Sequence, residues 1–209
     1  MGHPRRGALV APEPAGHNAV SAWLTDTARQ WVIDNYPYNS YHLLRSLEWL
    51  DHIAPGSREA VRLATLTHDM ERAFPGPDSP VNTGANDEAY YRAHSERSAR
   101  IVGSWLREQH AEAELIADVE ALIRAHEVGG WPEADLVQAA DSLSFLDTNV
   151  DLFLGFARSG RFSVEDVREK FDFSYDRIRV PRARELALPL LESARARLAS
   201  LEISPDGVR

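Results

Sequence analysis

Apolar residues recur at intervals of three and four along most of the chain, and this spacing constrains the fold more than any other feature. It places one apolar stripe on each helix, whereas a half-buried strand requires strict alternation. In the segment YHLLRSLEWLDHI, Leu43, Leu47 and Leu50 fall on one side of a helix. Alternating β-branched runs and hairpin turn signals are scarce. The sequence therefore predicts an all-α fold in a single domain.

Proline and serine positions predict where the first helices begin and end. A first helix is predicted from about residue 18 to residue 35, and Pro37 breaks it because proline is incompatible with a helix interior. Ser40 is the predicted N-cap of the second helix, and Ser57 is the predicted N-cap of a third helix over 58–74. Serine suits this position because its side chain accepts a hydrogen bond from the first helical turn.

The rest of the chain continues as helices after one long connection. Residues 75–86 are rich in Pro, Gly and Asn and predict a loop of a length that suggests a functional role. Ser163, with Asp166 three residues later, is typical of a helix start. Further helices are predicted at about 87–109, 112–127, 132–148, 150–158, 163–177 and 181–201.

Length, charge and apolar runs narrow the class of protein. A helical domain is predicted over residues 17–203, between a flexible lead-in at 1–16 and a tail at 204–209. No apolar run approaches the ~20 residues that cross a bilayer, and the lead-in lacks the apolar core of a signal peptide. A cytoplasmic protein without a membrane partner is therefore expected. The net charge of -9 disfavours extended nucleic-acid binding.

The histidines and aspartates indicate a metal site. The chain contains no cysteine, so any transition metal has to be held by imidazole and carboxylate. Four of the eight histidines lie inside predicted amphipathic helices, and two aspartates accompany them. These six residues are His42, His68, Asp69, His94, His126 and Asp141. Charged groups on apolar faces are expensive to bury alone, and a metal would satisfy all six together. The sequence therefore predicts that the six side chains converge.

The order of these residues, H…HD…H…H…D, resembles that of the HD-domain superfamily of metal-dependent phosphohydrolases. The resemblance covers residues 38–150, and the segments RAHSERSARIV and LIRAHEVGG look most like members with two metals. It implies an HD-type helical bundle, to which residues 150–203 add C-terminal helices. It also implies one or two divalent metal ions, with Fe, Mn, Zn, Ni and Mg as candidates. Asp69 would bridge two metals, between which a water becomes a hydroxide nucleophile near neutral pH.

The resemblance further implies a phosphate-binding residue three positions after Asp69. Many members carry lysine there in an HDIGK-like motif, whereas this chain reads HDMER and has Arg72. Arginine binds phosphate with bidentate geometry, so Asp69 and Arg72 are the predicted catalytic residues. The alternative for Arg72 is a surface arginine that pairs with Glu71 or Asp69. The predicted substrate-binding residues are Arg72, Arg45, Tyr91, Arg92 and Lys170.

Two enzymatic functions are compatible with these ligands. The favoured one is a metal-dependent hydrolase of a phosphate ester or anhydride, whose substrate is a nucleotide or another small phosphorylated metabolite. The alternative is a diiron oxygenase acting on a small metabolite, as in inositol oxygenase and certain phosphonate-cleaving relatives of this fold. The phosphonate type carries a Tyr and a Glu shortly before the first ligand, and QWVIDNYPYNSYH offers tyrosines but no Glu. A nucleotide-binding sensor without catalysis is a third class.

Overall fold

The structure, a computed structural model, describes residues 17–82 and 87–203. All regular structure in these ranges is helical, which confirms the predicted all-α fold. The predicted lead-in and tail lie outside the described residues. No helix in the described part of the chain has both the length and the apolar character that a membrane crossing requires.

Most of the helices follow one another with short connections, and the longest separation lies between Ala73 and Glu88. The helices are α1 (His17–Asn35), α2 (Ser40–Ile53), α3 (Glu59–Thr67), α4 (Glu88–Glu108), α5 (Ala113–Ala125), α6 (Pro132–Ser144), α7 (Val150–Arg158), α8 (Val164–Asp176) and α9 (Pro181–Ile203). A 3-10 turn, Met70–Ala73, follows α3. A π-helical turn, Phe145–Asn149, joins α6 to α7.

Two apolar clusters form the core, and they meet at α6. The larger cluster lies among α1 to α6 and contains the α2 stripe of Leu43, Leu47 and Leu50. The smaller cluster is built from the C-terminal helices and the π-helical turn. Helix α6 contributes Val137 to the first cluster and Leu143 to the second. Because α6 is buried on two sides, a polar residue on it lies at the junction between the clusters.

The third helix is shorter than the sequence predicts. It ends at Thr67, and His68 and Asp69 form the connection to the 3-10 turn. Ser57 does not cap it: the Ser57 hydroxyl donates to the carbonyl of Ala54. The early end has a tertiary cause, since the contacts of the buried Asp69 side chain outweigh the local helical pattern.

A glycine turn connects α5 to α6. Gly129 has a φ of +67°, and a Cβ there would lie 2.3 Å from Asp135 Oδ1 and from Arg179 Nη1. Only glycine suits both the backbone conformation and the close approach. The turn places the end of α5, where His126 lies, next to α6, which carries Asp141.

The predicted start of α8 is confirmed and gives a test of the fold. Ser163 Oγ accepts a hydrogen bond from the Asp166 amide at 3.0 Å, and Asp166 Oδ2 accepts one from the Ser163 amide at 2.9 Å. Ser163→Ala removes half of this capping box and should lower the free energy of unfolding by about 1 kcal/mol in chemical denaturation. Ser104→Ala is the matched control: Ser104 is exposed within α4, where alanine should be neutral or slightly stabilising. Equal stabilities for both variants would contradict the role of the box.

Candidate metal centre

The six residues predicted as metal ligands lie together. They are His42, His68, Asp69, His94, His126 and Asp141, and all are buried. The ring centroids of His68 and His126 are 4.9 Å apart, and those of His94 and His126 are 5.4 Å apart. The structure therefore brings three helices and the residues that follow α3 and α5 to one buried point.

One oxygen of each aspartate faces the imidazoles. Asp141 Oδ1 lies 3.1 Å from His42 Nε2 and 3.4 Å from His68 Nε2. Asp69 Oδ1 lies 2.8 Å from His94 Nε2 and 3.8 Å from His68 Nε2. The inner oxygens and the Nε2 atoms thus line the same small space.

Two of the histidines occupy equivalent positions at helix ends. His68 follows the last residue of α3, and His126 follows the last residue of α5. The sequence predicts both residues inside helices, whereas the structure places both just beyond a helix end. Each ring donates its Nδ1 proton to a carbonyl three residues earlier, to Thr65 at 2.9 Å and to Ile123 at 2.7 Å. The last carbonyls of a helix have no intrahelical partner, so they are available for this bond. In the neutral form of each ring, Nε2 is therefore the nitrogen without a proton, and it is directed inward.

In the other two histidines, His94 and His42, Nδ1 contacts a side chain instead of a backbone carbonyl. His94 Nδ1 donates to Glu71 Oε1 at 2.9 Å. His42 Nδ1 lies 3.0 Å from Ser144 Oγ, whose own proton goes to the His42 carbonyl at 2.7 Å. Since the Ser144 hydroxyl can only accept from the ring, His42 must carry its proton on Nδ1. In its neutral form each of the four rings therefore presents an unprotonated Nε2 to the centre.

The Nε2 nitrogens at the centre require a positive charge close to them. The Nε2 atoms of His68, His94 and His126 are buried and make no hydrogen bond with any described residue. Each faces acceptors only, an arrangement that is costly unless a cation, either a proton or a metal ion, lies among them. Burial opposes a charge on His68, but Asp141 and Asp69 outweigh it and raise the pKa of His68 to about 9.

The spacing of the atoms suits a metal ion. Three overlapping groups have one ligand atom per residue, all within 4.8 Å of one another. The groups are His42, His68 and Asp69; His68, His126 and Asp141; and Asp69, His94 and His126. Buried histidine and aspartate groups that could hold a metal ion are therefore present. His68, Asp69 and His126 each belong to two of the three groups.

Arginines hold the outer oxygens of both aspartates. Arg72 donates to Asp69 Oδ2, and Arg177 donates to Asp141 Oδ2. Burial opposes ionisation of the two acids, yet Arg72 holds the pKa of Asp69 well below its usual range, and Arg177 does the same for Asp141. Both aspartates are therefore anionic, and each is fixed with one oxygen outward and one inward.

A cavity of about 340 Å³ opens onto these aspartates. Arg72, Arg177 and Lys170 bring positive charge to its wall. The Lys170 ammonium contacts the Tyr91 hydroxyl at 3.4 Å and forms no ion pair with a carboxylate in the described part of the chain. Burial lowers the pKa of Lys170 to about 8. The cavity therefore offers space and positive charge to an anionic ligand beside the six residues.

Comparison of the sequence with known families assigns the chain to one of them. The model of a family described as a domain of unknown function, DUF4202, matches residues 21–199. The chain belongs to the DUF4202 family. No curated protein and no solved structure matches it. The candidate metal centre lies wholly within the DUF4202 match, whose description assigns no activity.

Only some of the predicted substrate-binding residues of this DUF4202 protein line the cavity. Arg72, Tyr91 and Lys170 line it. Arg45 does not, because its guanidinium is bound at 2.6 Å by Asp147 and by Glu48 on the outer face of α2. Arg92 does not either: it is exposed on α4. Arg45 and Arg92 therefore lie outside the cavity, and their binding of a substrate stays a prediction from the sequence.

Several residues of the DUF4202 site carry no sequence signal of their own. They are Glu71, Glu127 and Ser144. In the same site the Tyr90 ring stacks on His94, and Arg177 donates to Asp141. Arg177 belongs to a basic segment that the sequence shows as a cluster of charges, without indicating which cation turns inward. Glu127 is next to His126 in the sequence, but its carboxylate is held by a hydrogen bond from Arg177, which is distant in the sequence.

The double contact of Arg177 gives a prediction for stability. Its guanidinium binds both Asp141 and Glu127, and all three side chains are nine-tenths buried or more. Arg177→Ala leaves two buried carboxylates without their partner and should lower the free energy of unfolding by about 3–5 kcal/mol. Denaturation in the presence of a chelator measures this without a contribution from metal.

Arg179→Ala is the matched control, because Arg179 is half exposed and pairs with the single carboxylate of Asp135. It should change the stability by less than about 1 kcal/mol. If Arg177→Ala lowered the free energy of unfolding no more than the control does, the Arg177 guanidinium would not compensate the charges of Asp141 and Glu127.

Proposed function

We propose that this protein is a metal-dependent hydrolase that cleaves a phosphate ester or anhydride of a small metabolite. The buried and unpartnered Nε2 atoms beside the inner aspartate oxygens carry the proposal. They form a ready set of nitrogen and oxygen ligands, and the cations on the cavity wall suit an anionic substrate. The residue order that resembles HD-domain phosphohydrolases supports the same function.

The residues present fit one or two divalent metal ions. His42, His68 and Asp141 would serve one ion, because Asp141 Oδ1 faces both rings. His94 and His126 would serve the other, with Asp69 shared between the two ions. Nitrogen and carboxylate ligands accept Fe, Mn, Zn, Ni or Mg, and the set contains no sulfur. When bound, such ions supply an acidified water as the nucleophile and neutralise the charge of the phosphate. Glu71 and Ser144 would keep the rings of His94 and His42 in the required orientation.

The arginines would act mainly on the ligands. Arg72 already donates to Asp69, so in this proposal it holds the shared aspartate in place and adds positive charge at the cavity wall. Arg177 holds Asp141 in the same manner. Each clamp fixes which oxygen faces inward, and this leaves the inner oxygen free to bind an ion.

Lys170 is then the cation best able to meet the substrate. Its ammonium lines the cavity and has a hydroxyl and ring faces as neighbours, so an incoming phosphate does not have to displace a carboxylate. A compact ammonium with three donors can follow a phosphate oxygen through the reaction. In this proposal Lys170 takes the role that a lysine after the HD pair has in many relatives of the superfamily.

Metal analysis and a phosphatase screen test the proposal. The purified protein should contain at least one divalent metal per chain and release phosphate from one or more members of a panel of phosphate esters and anhydrides. Asp69→Ala should lose hydrolysis and most of the metal, because it removes a ligand shared by two groups. Asp51→Ala is the control, since Asp51 is a partly exposed aspartate that pairs with Arg62. It should retain both properties.

One result would contradict the role of Asp69, and another would contradict the hydrolase. Full metal content and normal turnover in Asp69→Ala would remove the proposed role of the shared aspartate. Two irons per chain together with oxygen consumption and no phosphate release would instead favour the diiron oxygenase, which uses the same kinds of ligand.

A second prediction concerns the substrate cation. Lys170→Gln should lower kcat/KM for the phosphate found in the screen by about ten-fold to a hundred-fold, the usual worth of a hydrogen bond between charged groups. The metal content should not change, because Lys170 belongs to none of the ligand groups. Arg92→Gln is the matched control, a neighbouring basic residue that is exposed outside the cavity. Equal kinetics for the two variants would mean that Lys170 does not meet the phosphate.

A further inference from the structure

The cavity continues beyond the charged end into a chamber lined by aromatic rings. Phe145, Phe153, Phe156 and Phe162 line this part, together with Leu152. They come from the π-helical turn, from α7 and from the connection to α8. We call these five residues the aromatic chamber. One cavity thus joins a charged end at the aspartates to an apolar end.

The rings form a continuous path away from Lys170. The Lys170 ammonium lies 5.3 Å from the Phe145 ring, and the Phe145 and Phe153 centroids are 5.0 Å apart. Phe156 follows Phe153 at 5.4 Å, and Phe162 follows Phe156 at 5.5 Å. A ligand with a phosphate at Lys170 would therefore extend along ring surfaces rather than along polar groups.

The chamber is not sealed within the core. Phe145 is buried, whereas Phe153, Phe156 and Phe162 are half-buried and Leu152 is 47% exposed. Tyr38, which is 74% exposed, lines the same cavity from the first half of the chain. Single exposed apolar residues are common, but a set gathered on one concave surface is typical of a binding site.

Arg161, one of the polar residues that line the same cavity, also suits a ring. The Arg161 guanidinium lies over the Phe156 ring, 4.4 Å from its centroid. Planar guanidinium and ring faces together favour a flat partner over a hydroxyl-rich one. Four of the five chamber residues lie after residue 150, outside the segment that resembles HD domains, whereas Phe145 lies within that segment.

We infer that the substrate is a phosphate compound carrying a planar aromatic group, with the phosphate at Lys170 and the ring in the aromatic chamber. This inference rests on the proposed function for its phosphate end. The ring of a nucleobase and a simple aryl group share this chemistry. Sugar phosphates and inorganic pyrophosphate lack it and would leave the chamber without a partner.

Binding of non-hydrolysable phosphonates to the metal-loaded protein tests the inference without any need for turnover. Phenylphosphonate and methylphosphonate carry the same anionic head, so the difference between them reports on the ring. Calorimetry should give a Kd for phenylphosphonate at least about ten-fold lower, as expected for burial of an aromatic ring. Butylphosphonate should bind more weakly than phenylphosphonate. Equal affinities for phenylphosphonate and methylphosphonate would overturn the inference. Equal affinities for phenylphosphonate and butylphosphonate would overturn the claim that the chamber prefers an aromatic ring to an alkyl chain.

A variant locates the effect. Phe156→Ala should reduce the advantage of phenylphosphonate over methylphosphonate by about three-fold or more. Phe74→Ala is the matched control, since Phe74 is another half-buried phenylalanine that stacks on Trp31 and does not line this cavity. It should leave the advantage unchanged. An advantage that survives Phe156→Ala in full would place the ring elsewhere and overturn the assignment to the chamber.

Hydrolysis kinetics separate this inference from the proposed function. Comparable kcat/KM for adenosine monophosphate, phenyl phosphate and glycerol phosphate would leave the hydrolase standing and overturn the aromatic preference. Tight binding of phenylphosphonate without hydrolysis of any phosphate would support the chamber and contradict the hydrolase. A higher kcat/KM for adenosine monophosphate than for phenyl phosphate would identify the ring as a nucleobase.

Discussion

The pairing of two buried aspartates with two arginines is the interaction on which the rest of the site depends. A carboxylate buried without compensation would take up a proton instead of remaining charged. Arg72 and Arg177 prevent this at Asp69 and Asp141, and each binds only the outer oxygen. The inner oxygens therefore stay anionic and face the imidazoles. A weaker clamp would permit rotation of the carboxylate, and the inner acceptors would no longer be fixed relative to the Nε2 atoms.

The two clamps differ in origin, and this difference links the site to the fold. Arg72 lies three residues after Asp69, so a single local turn supplies that pair. Arg177 lies at the end of α8 and reaches Asp141 on α6 and Glu127 after α5. Asp141 is therefore compensated only when the C-terminal helices pack on the first half of the chain. Helix α6, which contributes to both apolar clusters, is the element that makes this contact possible.

The sequence predicts the parts of this structure that are periodic or local. Helical spacing gave the all-α fold, and Ser163 with Asp166 gave the start of α8, because both signals act within a few residues. The order of histidines and aspartates indicated which side chains meet. The sequence could not show that α3 ends at Thr67, since a tertiary contact of Asp69 decides it. Nor could it select Arg177 from a basic segment, because the selection depends on which side of α8 packs inward.

That inward side also connects the charged and the apolar parts of the cavity. Lys170 and Arg177 are seven residues apart, close to two full helical turns, so they project from α8 in nearly the same direction. Arg177 binds the aspartate at the candidate metal centre, while the Lys170 ammonium lies 5.3 Å from the centroid of the Phe145 ring. The position of α8 therefore sets two distances at once, from the clamp to Asp141 and from the free ammonium to the centre. Any ligand that bound Lys170 and the aromatic chamber together would hold α8 against α6, and in doing so would hold the arginine on the aspartate.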